Sequence, residues 1–173
     1  MIGLTTLQDS GDRTLFKTGA VRDIHEGKGR CDLLPLAVVA EIMKHYDEVY
    51  AKIIADINAF RLSADVSYLY DVINLFVGSG AFGNKPEMVL EVAKHFEDGC
   101  NKYGERNWEK GIPIHCYIDS AIRHLTKYIA EYDDERHDRA FVWNIMCCIY
   151  TIQHMPELDD YTLMTKEETE EDI

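Results

Sequence analysis

The stretch Lys102-Tyr103-Gly104-Glu105-Arg106-Asn107-Trp108-Glu109-Lys110-Gly111-Ile112-Pro113 gathers cations, an amide, two aromatics and two glycines between two apolar, helix-patterned segments. Lys102 could meet phosphate as a point charge and Arg106 as a planar fork, while Trp108 or Tyr103 could offer a base a flat face and Asn107 could read a base or sugar edge. The same residues also read as a helix-to-helix connection whose Trp plugs the core. A second candidate, Thr18 to Arg30, interleaves three glycines with Arg22, Lys28 and Arg30. Backbone N–H groups and cations in such a segment can wrap phosphate oxygens. The GxxxxGK[ST] spacing is missing, so it is not a Walker loop, and a flexible basic lead-in is the alternative. Gly78 to Asn84 has a similar glycine content but reads more simply as a helix stop and linker.

Acids and histidines recur at helical spacings. Glu91, His95 and Asp98 stand at i, i+4 and i+7, and Glu97 shares another face with Asn101. Asp119 and Arg123, four apart, can pair. His124 lies roughly 140° around the helix from Asp119, so one ion would not receive both without adjustment. His137 and Asn144 are seven apart and share a face. A carboxylate–imidazole pair on a helix can bind a divalent cation, although solvated surface acids are commoner.

The elements that must position these residues are helices. Apolar residues recur at steps of three and four, and the chain has only four prolines in 173 residues, which favours an all-α domain of about five helices. Leu36, Val39, Met43, Tyr46, Tyr50, Ile53 and Ile57 predict one long amphipathic helix, too apolar to leave in water, hence a homo-oligomer (dimer or tetramer). Ser63 could cap a second helix carrying Val66, Leu69, Tyr70, Ile73 and Phe76. Pro86 suits the start of a third, with Met88, Val89, Val92, Phe96 and Cys100 inward. A fourth follows Pro113, and Asp134 is placed to cap a last one over 135–154. Residues 1–18 read as an arm and 166–173 as an acidic, disordered tail, leaving one domain over 1–165.

The net charge of −13 argues against a long nucleic acid as partner. Residues 1–30, at net +1 against −14 for the remainder, could still meet a small phosphorylated ligand. Five cysteines without CxxC spacing read as reduced thiols in a cytoplasmic protein, and no apolar run is long enough to span a membrane.

In sequence, the blocks Gly19–Asp23, Glu26–Arg30, Asp32–Pro35, Lys102–Pro113, Asp119–Ala121, Arg123–Leu125, Asp134-Glu135, His137 and Trp143-Asn144 resemble the phage and bacterial dATP/dGTP diphosphohydrolase family. That family is associated with MazG-like nucleotide pyrophosphohydrolases. The resemblance implies hydrolysis of dGTP or dATP to the monophosphate and pyrophosphate with Mg²⁺ or Mn²⁺; in phages with 2-aminoadenine DNA, such an activity would supply dGMP. Among the acids nearest these blocks, Glu97 and Asp119 are the first candidates for metal ligation, with Asp134 and Glu135 next. His124 and His137 would serve as proton carriers or ligands. Arg22, Lys28, Arg30, Lys102 and Arg106 would contact phosphate, and Asn107, Trp108 and Asn144 the base or sugar. Residues 37–84 read as a helical insertion relative to the family, and no clean ExxE pattern is present. A non-catalytic nucleotide-sequestering protein is the alternative reading.

Overall fold

The computed structural model describes residues 11–162, so residues 1–10 and the acidic stretch 166–173 lie outside the described chain. Six α-helices carry the fold: α1 (Leu36–Met43), α2 (Glu48–Ser63), α3 (Ser67–Gly78), α4 (Glu87–Tyr103), α5 (Ile114–Ile129) and α6 (His137–His154). Among the described residues, the strands are a short antiparallel hairpin, β1 (Arg13–Leu15) and β2 (Val21–Asp23), with Thr14 opposite Arg22. The fold is thus all-α, with one helix more than expected and a strand inside the presumed arm.

The extra helix arises where the Leu36–Ile57 stripe breaks. Asp47 leaves helical backbone at φ −154°, and its carboxylate accepts the Tyr50 N–H at 2.8 Å, starting α2 afresh. The stripe residue Tyr46 falls in the break and is 78% exposed, while Leu36, Tyr50, Ile53 and Ile57 are buried. α2 packs against α1, α3 and α5, so most of the stripe is covered within one chain. Two further expectations fail for local reasons. Ser63 ends α2, its hydroxyl donating to the Ala59 carbonyl; Asp65 accepts the Ser67 N–H instead, at the start of α3. On α4, Val89 and Cys100 face out, and the packed side is Val92, His95 and Phe96.

α5 and α6 form the centre. Both are buried on most sides, as expected of helices surrounded by others. Tyr117 near the start of α5 meets Trp143 of α6, and His124 near its end meets His137 at the start of α6, so the two run antiparallel. The reversal between them is tight. The Tyr132 N–H reaches the Lys127 carbonyl at 2.9 Å and the Glu131 N–H that of Tyr128 at 3.1 Å, with Glu131 left-handed at φ 58°. Phe76 of α3 packs edge-on to Phe141 and Tyr128, at 4.6 and 5.1 Å between centroids. All five cysteines are free thiols. Among the described residues no helix is long and apolar enough to cross a membrane.

Asp47→Ala should lower stability by about 1 kcal/mol, read as a lower urea midpoint, and Asp47→Ser should recover most of it, because a hydroxyl can take the same cap.

Candidate active site

A cavity of about 640 Å³ lies between the hairpin, the end of α4 with its following loop, and the α5–α6 pair. Its lining includes the rings of Phe96, Trp108, Tyr117 and Trp143. It also includes Arg22, Lys28, Lys102, Arg123 and Lys127, beside acids such as Asp23 and Glu135. Both glycine-bearing stretches singled out in the sequence therefore border one space.

The hairpin is fastened to the helices by side chains that replace a third strand. Asn107 Nδ2 donates to the Val21 carbonyl and its Oδ1 accepts the Val21 N–H, both at 2.9 Å. This amide is committed to backbone. Arg22 crosses the cavity floor, donating to the Cys116 carbonyl at 3.2 Å and Asn144 Oδ1 at 2.6 Å, with its guanidinium over the rings of Tyr117 and Trp143. Asn144 is buried and holds Arg22. Lys102 pairs with Asp23 at 2.6 Å.

Asp119 closes the arrangement. Fully buried, it accepts the Cys31 N–H at 2.6 Å and bonds His25 Nδ1 at 3.0 Å and the Arg123 guanidinium. Arg123 also donates to the Gly29 carbonyl at 3.1 Å. Asp119 is thus a tether for residues 25–31, its oxygens engaged. Arg30 likewise turns from the cavity, forking onto Asp32 at 2.7 and 2.6 Å. Arg106 is exposed at the rim and paired with Glu109. Trp108 packs edge-on against Phe96 and Tyr150, so it is both core plug and cavity wall.

At the α5–α6 reversal His124, Glu135 and His137 converge. His124 Nδ1 is 3.0 Å from His137 Nδ1 and 3.2 Å from Glu135 Oε1, and His137 Nδ1 is 3.5 Å from that oxygen. Asp134 accepts from His137 Nε2 at 2.8 Å and is paired with Lys127 at 2.7 Å. Asp134 therefore orients His137 instead of capping α6. Burial pushes the His124 imidazole well below its usual value, helped by His137 and His95, and burial raises the Glu135 carboxyl. Two imidazoles and a carboxyl group in contact, on the edge of a cavity, form a donor set that suits a divalent ion. Glu97 of α4 also lines the cavity, exposed, and makes no hydrogen bond or ion pair among the described residues. It stands outside the cluster. The His–Glu–His grouping was not visible in spacing because the reversal, not a helix face, assembles it.

The family model described as dATP/dGTP diphosphohydrolase, N-terminal, matches residues 72–161. The chain belongs to this family. No curated protein and no solved structure matches it. The diphosphohydrolase is accordingly a nucleoside triphosphate pyrophosphohydrolase. The match takes in the 102–113 loop, the tether residue Asp119 and the whole His–Glu–His cluster, whereas the hairpin, the blocks over 19–35 and residues 37–71 lie outside it. The hairpin and the turns after it nevertheless supply Arg22 and Lys28 to the cavity of this diphosphohydrolase. Sequence reasoning missed Lys127, His25, Tyr117 and Trp143 as site residues and took Arg123 only as an ion-pair partner. Arg123 and Lys127, four apart on α5 beside His124, carried a usable signal.

Burial alone would raise the Asp119 carboxyl, but His25, Arg123 and the Cys31 N–H outweigh it and hold it down to about 2. A depressed carboxyl stabilises fully above its ordinary 3.8 and loses that contribution as pH falls toward 2. His25 is raised by the same bond, so its share is complete below 6.5 and fades as pH climbs through the raised value. Asp119→Asn should cost about 3–5 kcal/mol at pH 6, since it breaks a buried ion pair. In urea titrations the gap from the parent protein should narrow below pH 4.

Proposed function

We propose that the cavity binds dGTP or dATP and that the enzyme cleaves between the α- and β-phosphates, releasing the monophosphate and pyrophosphate. The observation that carries this reading is the juxtaposition, in a family diphosphohydrolase, of cations, aromatic rings and the His124–Glu135–His137 cluster around one cavity. The triphosphate lies against Lys28, Lys102, Arg123 and Lys127, whose charges offset its own. Lys28 is suited to this: partial desolvation, with Arg123, Arg22 and Lys102 nearby, lowers its pKa against the pull of Asp23. The base stacks in the aromatic end, between Trp108 and Trp143.

Activity depends on a divalent cation at His124, Glu135 and His137. Such an ion, when bound, neutralises phosphate charge and polarises the attacked phosphoryl group. The chain's own residues do the rest. The lysines and Arg123 orient the phosphates, Arg22 stiffens the floor beneath the sugar, and the packed rings exclude water from the base side. Glu97 takes a proton from the attacking water, a role open to it because its carboxylate has no other partner among the described residues.

The test is product analysis after incubation with each common NTP and dNTP, with Mg²⁺ or Mn²⁺ and with a chelator. Metal-dependent formation of dGMP or dAMP plus pyrophosphate is expected; nucleoside plus triphosphate would overturn the reading. Lys28→Ala should reduce kcat/KM by about tenfold or more, the equivalent of about 1.4 kcal/mol, with the folded state intact because Lys28 is exposed.

A further inference from the structure

We infer that His124, His137 and Glu135 form a resident site for one borderline first-row transition-metal ion, of the Mn²⁺, Fe²⁺, Co²⁺ and Zn²⁺ class, which the protein holds before any nucleotide arrives. The inference rests on the proposed nucleotide reading only for what the ion does; the binding itself can be measured without nucleotide.

Three observations support it. The donor atoms are mutually spaced at 3.0, 3.2 and 3.5 Å. Neighbouring ligands on one ion at about 2.0–2.2 Å stand about 3.0–3.5 Å apart, so the three atoms need little movement to share one. Second, His137 is held by a carboxylate on its far nitrogen. Asp134 accepts from Nε2 at 2.8 Å and is itself anchored by Lys127, which fixes the tautomer and leaves the Nδ1 lone pair directed at His124 and Glu135. An outer carboxylate of this kind is the usual support for a metal-ligating histidine. Third, the cluster is closed on one side and open on the other. His137 is 2% exposed, while His124 and Glu135 border the cavity, where further ligand positions would meet water or phosphate oxygen.

The donor set decides the class of ion. Mg²⁺ prefers oxygen and keeps much of its water, and it commonly arrives with the phosphates. Two imidazoles favour softer ions, for which nitrogen ligation outweighs the lost hydration. This distinguishes the site from an all-carboxylate one that would load Mg²⁺ together with its nucleotide.

The experiment is Co²⁺ titration of chelator-treated, full-length protein in the absence of nucleotide, followed by visible absorption and calorimetry. The expected result is d–d absorption that saturates at one ion per chain, is reversed by Zn²⁺, and is not displaced by excess Mg²⁺. His137→Ala should abolish the bands. Asp134→Asn, at an exposed position, should weaken Co²⁺ affinity by about 10–100-fold and keep the same spectrum. An absence of bands in the parent protein, displacement by Mg²⁺, or unchanged affinity in Asp134→Asn would overturn the inference. Each of these outcomes is independent of whether dGTP or dATP is hydrolysed.

Discussion

The buried carboxylate of Asp119 is the constraint on which the site depends. The bundle alone would leave α4, α5 and α6 with an open groove. Asp119, with no exposed surface, draws His25, the Cys31 backbone and, through Arg123, the Gly29 carbonyl onto α5. A buried charge is tolerable only when it is fully partnered, and here the partners come from a segment with little secondary structure of its own. The same bonds that satisfy Asp119 therefore convert residues 19–31 from a lead-in into a wall. Asn107 does the corresponding work from the opposite side, replacing a strand partner for Val21.

A second constraint is the reversal between α5 and α6. Because Glu131 is left-handed and two backbone bonds close the end of α5, the chain returns within a few residues and sets Glu135 and His137 against His124. Helix periodicity cannot predict such a meeting, since it depends on the turn. The energetic cost of packing two imidazoles and a carboxylate in a partly dry corner makes sense if the corner serves charge chemistry. Lys127 links the two constraints: it borders the cavity and holds the carboxylate that orients His137.

Much of this was legible from residues. Lys102, Tyr103, Gly104, Arg106 and Trp108 of one stretch and Arg22 and Lys28 of the other do border one cavity, and the apolar spacing gives an all-α fold. What sequence could not supply was direction. Arg30 and Asn107 have the right chemistry for a ligand, yet one forks onto Asp32 and the other onto backbone. Asp119 has metal-ligand chemistry and sits on the correct helix, but its partners come from the far end of the chain. The Asp47 break was signalled by an Asp three residues before Tyr50, a capping pattern overridden by the regularity of the apolar stripe. The matched family region covers the cluster and the loop but not the hairpin, so the cavity joins matched and unmatched parts of the chain.

The most direct test of this account is hydrogen–deuterium exchange with and without a non-hydrolysable dGTP analogue carrying a carbon bridge between the α- and β-phosphates. If the nucleotide lies between hairpin and bundle, amide exchange should slow together in residues 19–30, in residues 102–112 and at the α5–α6 reversal. Protection confined to the helices, with residues 19–30 exchanging as fast as in the free protein, would contradict the claim that the tethered hairpin is one wall of the site.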